Sequence, residues 1–298
     1  MDELAGTKAN WAGLLVTWYQ ENSFAEAIYA DPEKTPSDAA LAYAIRELKA
    51  RGLKAMLKPH VDGADGSWRG EFGPPDPDAW FANYAAFVLH YACLAEALGV
   101  DGLIVGTEYT KLSGPEHRAH WCSVIEGIRS VFSGILIYAA NATSSDDEFV
   151  RVSFWDKLDL IGLNGYFPLT NHDRPTLAEL ISAWSGNARG EDMVKAIQRF
   201  AMRHDRRVIF TEIGYRSVTG CNVQPWNHHT SAPYDPTEQA DCYRAFFEAW
   251  TGHSSWMQGV FWWNWTVPAV PPTDRGYNPR SKPAAQVLAD WYGAEIGF

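Results

Sequence analysis

The sequence predicts an α/β protein of the (β/α)8 TIM-barrel class, built as one domain over residues 1–298. Three observations predict it. Short runs rich in Val, Ile, Leu and Trp alternate with amphipathic stretches, which is the pattern of βα units whose parallel strands are buried on both faces. The 298 residues, 46% of them hydrophobic, suit a single barrel core. Two of the apolar runs close on glutamate, in Gly102-Leu-Ile-Val-Gly-Thr-Glu108 and Arg207-Val-Ile-Phe-Thr-Glu212. The carboxyl ends of barrel strands are where this class assembles its sites.

The first ten residues, ending at Asn10, read as the last turn of a helix leading into a strand at 11–17. Ser37-Asp38 after Pro36 caps a helix at 37–51, which Gly52 stops ahead of a strand at 53–59. A helix at 77–98, ended by Gly99, leads to the strand at 102–107. The helix at 114–132 and the strand at 135–140 follow, then a strand at 158–163. Helices at 176–184 and 191–204 precede the strand at 207–211, and a helix at 236–251 precedes the strand at 258–263. A helix at 281–292 comes last, so seven strands are expected. The longest irregular stretches, 62–75 and 217–235, both follow strands and are expected to wall a cleft on the site-bearing face.

Composition narrows the function. With 25 basic against 36 acidic residues, a net charge of −11 and no basic stripe, a nucleic-acid partner is excluded and an uncharged substrate fits. Cys93, Cys122, Cys221 and Cys242 have no C-x-x-C spacing and are expected as free thiols. His228-His229 would point opposite ways in a strand and are read as loop residues, and Asp62-Gly-Ala-Asp65-Gly lacks the distal glutamate of a calcium loop. No metal or cofactor is therefore expected. The chain opens without a basic and then apolar leader, and no apolar run approaches about 18 residues, so it reads as a cytoplasmic protein with no membrane partner. The sequons at Asn141 and Asn264 fall at strand ends and are read as chance matches.

Aromatics make up 14% of the chain, with 14 Trp. The C–H face of a pyranose packs on such rings while its hydroxyls bond to polar neighbours, although any single Trp is read first as core. A lone acid at a strand end is usually a cap or an ion-pair partner. Two of them in an aromatic-rich chain suggest the chemistry of sugar acetal cleavage, which needs one protonated and one ionised carboxyl. The protonated group needs burial or a like charge to hold its proton near neutral pH, and a separation of about 5–5.5 Å suits direct attack by the other.

Several short pieces carry a resemblance: Val16-Thr-Trp18-Tyr-Gln20, Leu57-Lys-Pro-His60-Val-Asp62, Gly106-Thr-Glu108-Tyr109, Tyr138-Ala-Ala-Asn141, Ile161-Gly-Leu-Asn-Gly-Tyr166, Phe210-Thr-Glu212-Ile-Gly-Tyr215 and Phe261-Trp-Trp263-Asn-Trp265. In order and spacing they resemble the clan A retaining glycoside hydrolases, most closely the β-mannanases of glycoside hydrolase family 113. The resemblance implies cofactor-free cleavage of β-1,4-mannosidic bonds in mannan or manno-oligosaccharides by double displacement. It makes Glu108 the general acid/base and Glu212 the nucleophile. It further implies Tyr166 as hydrogen-bond donor to the nucleophile and Trp263 as the floor under the reacting sugar. His60 and Asn141 become hydroxyl partners, and Trp18, with Trp68 and Trp226, stacking surfaces. Thr107 stands where many clan members carry Asn. The alternatives are a hydrolase or transglycosidase acting on another β-glycan, and an inactive carbohydrate-binding barrel.

Counting strands against the clan adds an expectation. In the clan the acid/base ends the fourth strand and the nucleophile the seventh, whereas Glu108 and Glu212 end the third and sixth strands here. The barrel is therefore expected to be incomplete, lacking its first strand and most of its first helix. The resulting gap, between the strands at 11–17 and 258–263, calls for a cover. A partner subunit in a homo-oligomer is the first candidate, and segment 267–279 or the C-terminal tail the second.

Overall fold

The computed structural model describes residues 1–268, 270, 271 and 273–294. Its elements are α1 (Asp2–Gly6), β1 (Trp11–Gln20), α2 (Asp38–Lys49), β2 (Lys54–Gly63), α3 (Pro77–Ala97), β3 (Gly102–Thr107) and α4 (Arg118–Arg129). They continue with β4 (Ile135–Ala142), α5 (Glu148–Arg151), β5 (Leu160–Gly165), α6 (Leu177–Ala183), α7 (Met193–His204), β6 (Val208–Ile213), α8 (Pro236–Trp250), β7 (Met257–Trp262) and α9 (Pro283–Gly293). The fold is α/β, an incomplete (β/α)8 barrel whose sheet holds seven strands in chain order among the described residues.

Every strand expected from the sequence is present, β3 with the same ends and the others with shifted ones. β1 and β2 run further than the apolar pattern, because Tyr19, Gln20 and Asp62 continue the ladder as polar residues. β6 extends past Thr211, so Glu212 lies within the strand. The helix expected from residue 114 opens with a 3-10 turn at Pro115–His117. Helix α5 is not anticipated, since four residues are too few to show a helical period. The caps follow their sequence signals: Ser37 accepts from the Ala40 N–H, and Thr176 forms a reciprocal capping box with Glu179.

The chain divides into two compact units, one made of residues 10–141 and 148–162, the other of residues 1–9, 142–147 and 163–298. In the first, β1 and β2 pair in parallel from Trp11 against Lys54 to Gln20 against Gly63, and β3 pairs with β4 through a bulge between Ile104 and Gly106. Aromatic rings fill the space between α3, α4 and the strands. Trp80 stacks on Tyr84 at 4.9 Å, Trp121 stacks on Phe154 at 4.9 Å, and Tyr109 meets Trp80 edge-on at 5.4 Å. In the other unit β6 pairs with β7, Phe210 meets Trp250 of α8 at 4.9 Å, and Tyr243 stacks on Trp262 at 3.8 Å. Trp80, Trp121, Trp155, Trp184 and Trp250 are fully buried. Much of the Trp content therefore serves helix-on-strand packing rather than sugar contact.

The edge of β1 facing away from β2 is partly closed by the loop that follows this strand. Tyr19 exchanges two backbone hydrogen bonds with Tyr29, at 2.8 and 2.9 Å, and the Thr35 hydroxyl donates to the Thr17 carbonyl at 2.6 Å. Covering an edge with a loop removes a template for unwanted strand pairing. The C-terminal tail from residue 295, and residues 269 and 272 of the other candidate cover, lie outside the described residues. Among the described residues no helix is long and apolar enough to cross a membrane. All four cysteines are free thiols, with the Sγ atoms of buried Cys221 and Cys242 at 3.9 Å.

Candidate active site

Glu108 follows β3 in the left-handed region, at φ 55°. For a residue with a Cβ this conformation costs roughly 1–2 kcal/mol, so the surroundings must impose it. They do so through three hydrogen bonds, two of them backbone to backbone. The Glu108 N–H donates to Ala139 O at 2.9 Å, the Thr110 N–H donates to Glu108 O at 2.9 Å, and the Tyr109 N–H donates to the Tyr138 hydroxyl at 2.9 Å.

The Glu108 carboxylate is met by the loop after β2. Trp68 Nε1 donates to Oε2 at 3.2 Å, and Arg69 Nη1 lies 3.6 Å from the same oxygen. Burial opposes the Arg69 charge, but Asp62, to which it is hydrogen-bonded, and Glu108 outweigh that and raise its pKa above the ordinary guanidinium value. Gly70 makes room for the indole, because a Cβ there would come within 2.3 Å of the Trp68 ring. Arg69 is absent from the sequence-based site. The loop at 62–75 is expected as a wall, but no local signal shows which of its charges turns toward Glu108.

His60, in β2, is 3% exposed. Burial, then the charges of Arg69 and Lys58, hold its pKa well below the usual imidazole range, so it is neutral and offers one donor and one acceptor. Asn141 is half-buried in β4, and its N–H donates to Glu148 Oε2 at 2.6 Å. Trp18, expected as a stacking surface, is half-buried beside α3. Its ring lies 5.2 Å from Phe87 and its Nε1 donates to the Tyr91 hydroxyl at 2.7 Å, both on α3. Gln20, two residues on, points the same way, accepting from Trp80 Nε1 at 2.8 Å. Side chains two apart share a strand face, so this face of β1 belongs to the helix layer.

In the other unit, Glu212 is 6% exposed and accepts a 2.8 Å hydrogen bond from the Tyr166 hydroxyl, the contact that the family resemblance implies. Beneath it the Thr211 hydroxyl donates to Asn164 Oδ1 at 2.9 Å, tying β6 to β5. Tyr277, which the sequence reading misses, sets its ring 6.3 Å from Tyr166 and donates its hydroxyl to Pro225 O at 2.7 Å. Trp263 is half-buried just after β7, and its N–H donates to Ile213 O at 2.7 Å. Trp226, 38% exposed, belongs to the loop at 217–235 that the sequence marks as a wall. That loop encloses a cavity of about 280 Å³ lined by Arg216, Gln224, Asn227 and Thr230 among others. His228 and His229 lie in this loop as expected.

Gly214 has an unambiguous packing role. A Cβ there would sit 2.2 Å from the Trp263 carbonyl oxygen and 3.0 Å from the Tyr277 ring, and backbone cannot swing aside as a side-chain end can. Gly214→Ala is expected to cost about 1–3 kcal/mol by overpacking and to lower activity by displacing Trp263. Thermal unfolding with parallel kinetics tests this; an unchanged Tm and rate would show that the two strand ends tolerate separation.

Solved structures with a similar fold, together with a family model, identify the class. A family 113 β-mannanase from Alicyclobacillus acidocaldarius, in complex with ManMIm, is 29% identical, with 98% of this chain and 90% of that chain covered and a TM-score of 0.85. A family 113 β-1,4-mannanase is 24% identical over 98% of this chain and 91% of that one, at a TM-score of 0.86. A β-glucuronidase from Ruminococcus gnavus shares the fold alone, at 14% identity and a TM-score of 0.61 over 98% of this chain and 45% of that one. Comparison with curated protein sequences finds no significant match. Fold and relatives together define a glycoside hydrolase. The profile of Glycoside Hydrolase Family 113 matches residues 1–280, and the chain belongs to that family.

Proposed function

We propose that the enzyme hydrolyses β-1,4-mannosidic bonds in mannan or manno-oligosaccharides with retention of configuration, Glu212 acting as nucleophile and Glu108 as general acid/base. The observation that carries the division of roles is the Tyr166 hydroxyl on Glu212 Oε2, at 2.8 Å. That bond holds the carboxylate in a fixed orientation, which an attacking group needs. Whole-length similarity to a β-mannanase supports the substrate.

In this reading Glu212 attacks the anomeric carbon while Glu108 protonates the departing glycosidic oxygen, leaving a glycosyl ester on Glu212. Glu108, now a carboxylate beside Arg69 and the Trp68 N–H, takes a proton from water. That water displaces Glu212, so two inversions give net retention. His60 and Asn141 serve as hydroxyl partners, and Trp263 as the surface under the reacting ring.

Product profiling on mannan, mannohexaose, cellohexaose and aryl β-glycosides, with the nascent anomer followed by proton NMR, tests both parts. Short manno-oligosaccharides appearing first as the β-anomer are expected. First appearance of the α-anomer would overturn the mechanism, and cleavage of cellohexaose but not mannohexaose would overturn the substrate.

A further inference from the structure

A third carboxyl, which neither the sequence reading nor the proposed reaction uses, lies behind Glu108. Glu148, the first residue of α5, is fully buried. Its Oε1 accepts from the Tyr138 hydroxyl at 2.6 Å and its Oε2 accepts from the Asn141 N–H at 2.6 Å. The Tyr138 oxygen in turn accepts the Tyr109 N–H at 2.9 Å, the peptide group immediately after Glu108. One buried carboxyl thus holds, through one hydroxyl, the turn that presents Glu108 and, directly, the strand end that presents Asn141.

We propose that Glu148 is a positioning residue for catalysis, fixing the strained Glu108 turn through Tyr138 and the Asn141 backbone through its second oxygen. The inference rests on the acid/base role of Glu108. A buried carboxyl is costly unless its oxygens are satisfied, and a short helix could be seated on a leucine at lower cost. The arrangement instead spends one oxygen on the Asn141 N–H and the other on the Tyr138 hydroxyl that receives the Tyr109 N–H, with the Ser113 hydroxyl also acting on the carboxyl. Burial raises the Glu148 pKa to about 7, and the nearby Glu108 charge pushes in the same direction. The titratable groups acting on it are Tyr138 and Glu108, with Arg69 beside Glu108 and Asp62 bonded to Arg69.

Glu148→Gln keeps the shape but loses one acceptor, so its amide N–H either meets the Asn141 N–H or turns the Tyr138 hydroxyl proton away from its present partner. Tyr138→Phe removes the hydroxyl that receives the Tyr109 N–H. Each is expected to lower kcat/KM on mannohexaose by about 10–100-fold, as a misplacement near 1 Å does, and on a dinitrophenyl β-mannoside by less than about threefold, because that leaving group needs little protonation. Removing the Glu148 charge also makes Glu108 easier to ionise, so the alkaline limb of the kcat/KM profile on mannohexaose should move to lower pH in Glu148→Gln.

Equal losses on the two substrates with an unmoved limb, or no loss in either variant, would overturn the inference. If Glu148→Gln does not fold, the substrate split in Tyr138→Phe decides alone. Glu108→Ala run alongside separates the two levels. Absence of the split in that variant refutes the acid/base assignment and this inference with it, whereas its presence in Glu108→Ala but not in the other two refutes only the positioning role.

Discussion

Glu212→Ala should abolish turnover on every substrate, with kcat falling by about four orders of magnitude or more, as removal of a nucleophile does in other hydrolases that form a covalent intermediate. Without the carboxylate no glycosyl ester can form, and a good leaving group does not substitute for the missing attack. The space left by the side chain admits a small anion. Azide should therefore restore cleavage of a dinitrophenyl β-mannoside and give the α-mannosyl azide, because only a single inversion takes place. The fold should survive, since Glu212 accepts the Tyr166 bond at a strand end rather than filling the core. Retention of more than about a tenth of wild-type kcat in a protein of unchanged Tm would remove Glu212 from the mechanism.

Glu108→Ala should separate the substrates instead. On mannan and mannohexaose, where the leaving alcohol needs a proton, kcat/KM should fall by about 10²–10⁴-fold. On the dinitrophenyl substrate kcat/KM should stay near wild type, because the first step no longer needs an acid. There kcat should still fall, since no base activates water for the second step. Azide, needing no base, should restore kcat and yield the β-mannosyl azide, the product of two inversions. Opposite azide anomers from the two variants are a test that partial unfolding cannot imitate. The same anomer from both would exchange or cancel the assigned roles.

The strands, the alternation and the Tyr166–Glu212 contact are legible in the sequence because each rests on local pattern or on a short motif. What the sequence hides is direction. Trp18 lies in a motif that resembles site residues in the family, yet it shares a strand face with Gln20 and turns to α3. Strand parity was available to show this, since Val16, the buried apolar residue two places earlier, stands on the same face. Arg69, Glu148 and Tyr277 were not available in that way. Each reaches its partner from a loop or a short helix, where no period tells which side chain turns inward. Arg69 lies beside Glu108 in a loop where Gly70 leaves space for the neighbouring indole. The Trp content divides as the sequence suggests, since five fully buried indoles belong to core packing.

The left-handed backbone at Glu108 has a consequence for how this enzyme responds to selection. Glycine adopts φ 55° without strain, and asparagine does so more readily than glutamate. A library sorted for heat resistance alone should accumulate Gly or Asn at position 108, each raising stability by about 1 kcal/mol through relief of that strain and each leaving the natural substrate uncleaved. Chemical denaturation of Glu108→Gly measures it, and a lower midpoint than wild type would mean that the carboxylate's contacts with Trp68 and Arg69 outweigh the backbone cost. If the midpoint rises, the position resists improvement because thermostability and turnover ask it for different residues. Efforts to toughen the enzyme then belong on the helices, away from the third strand's end.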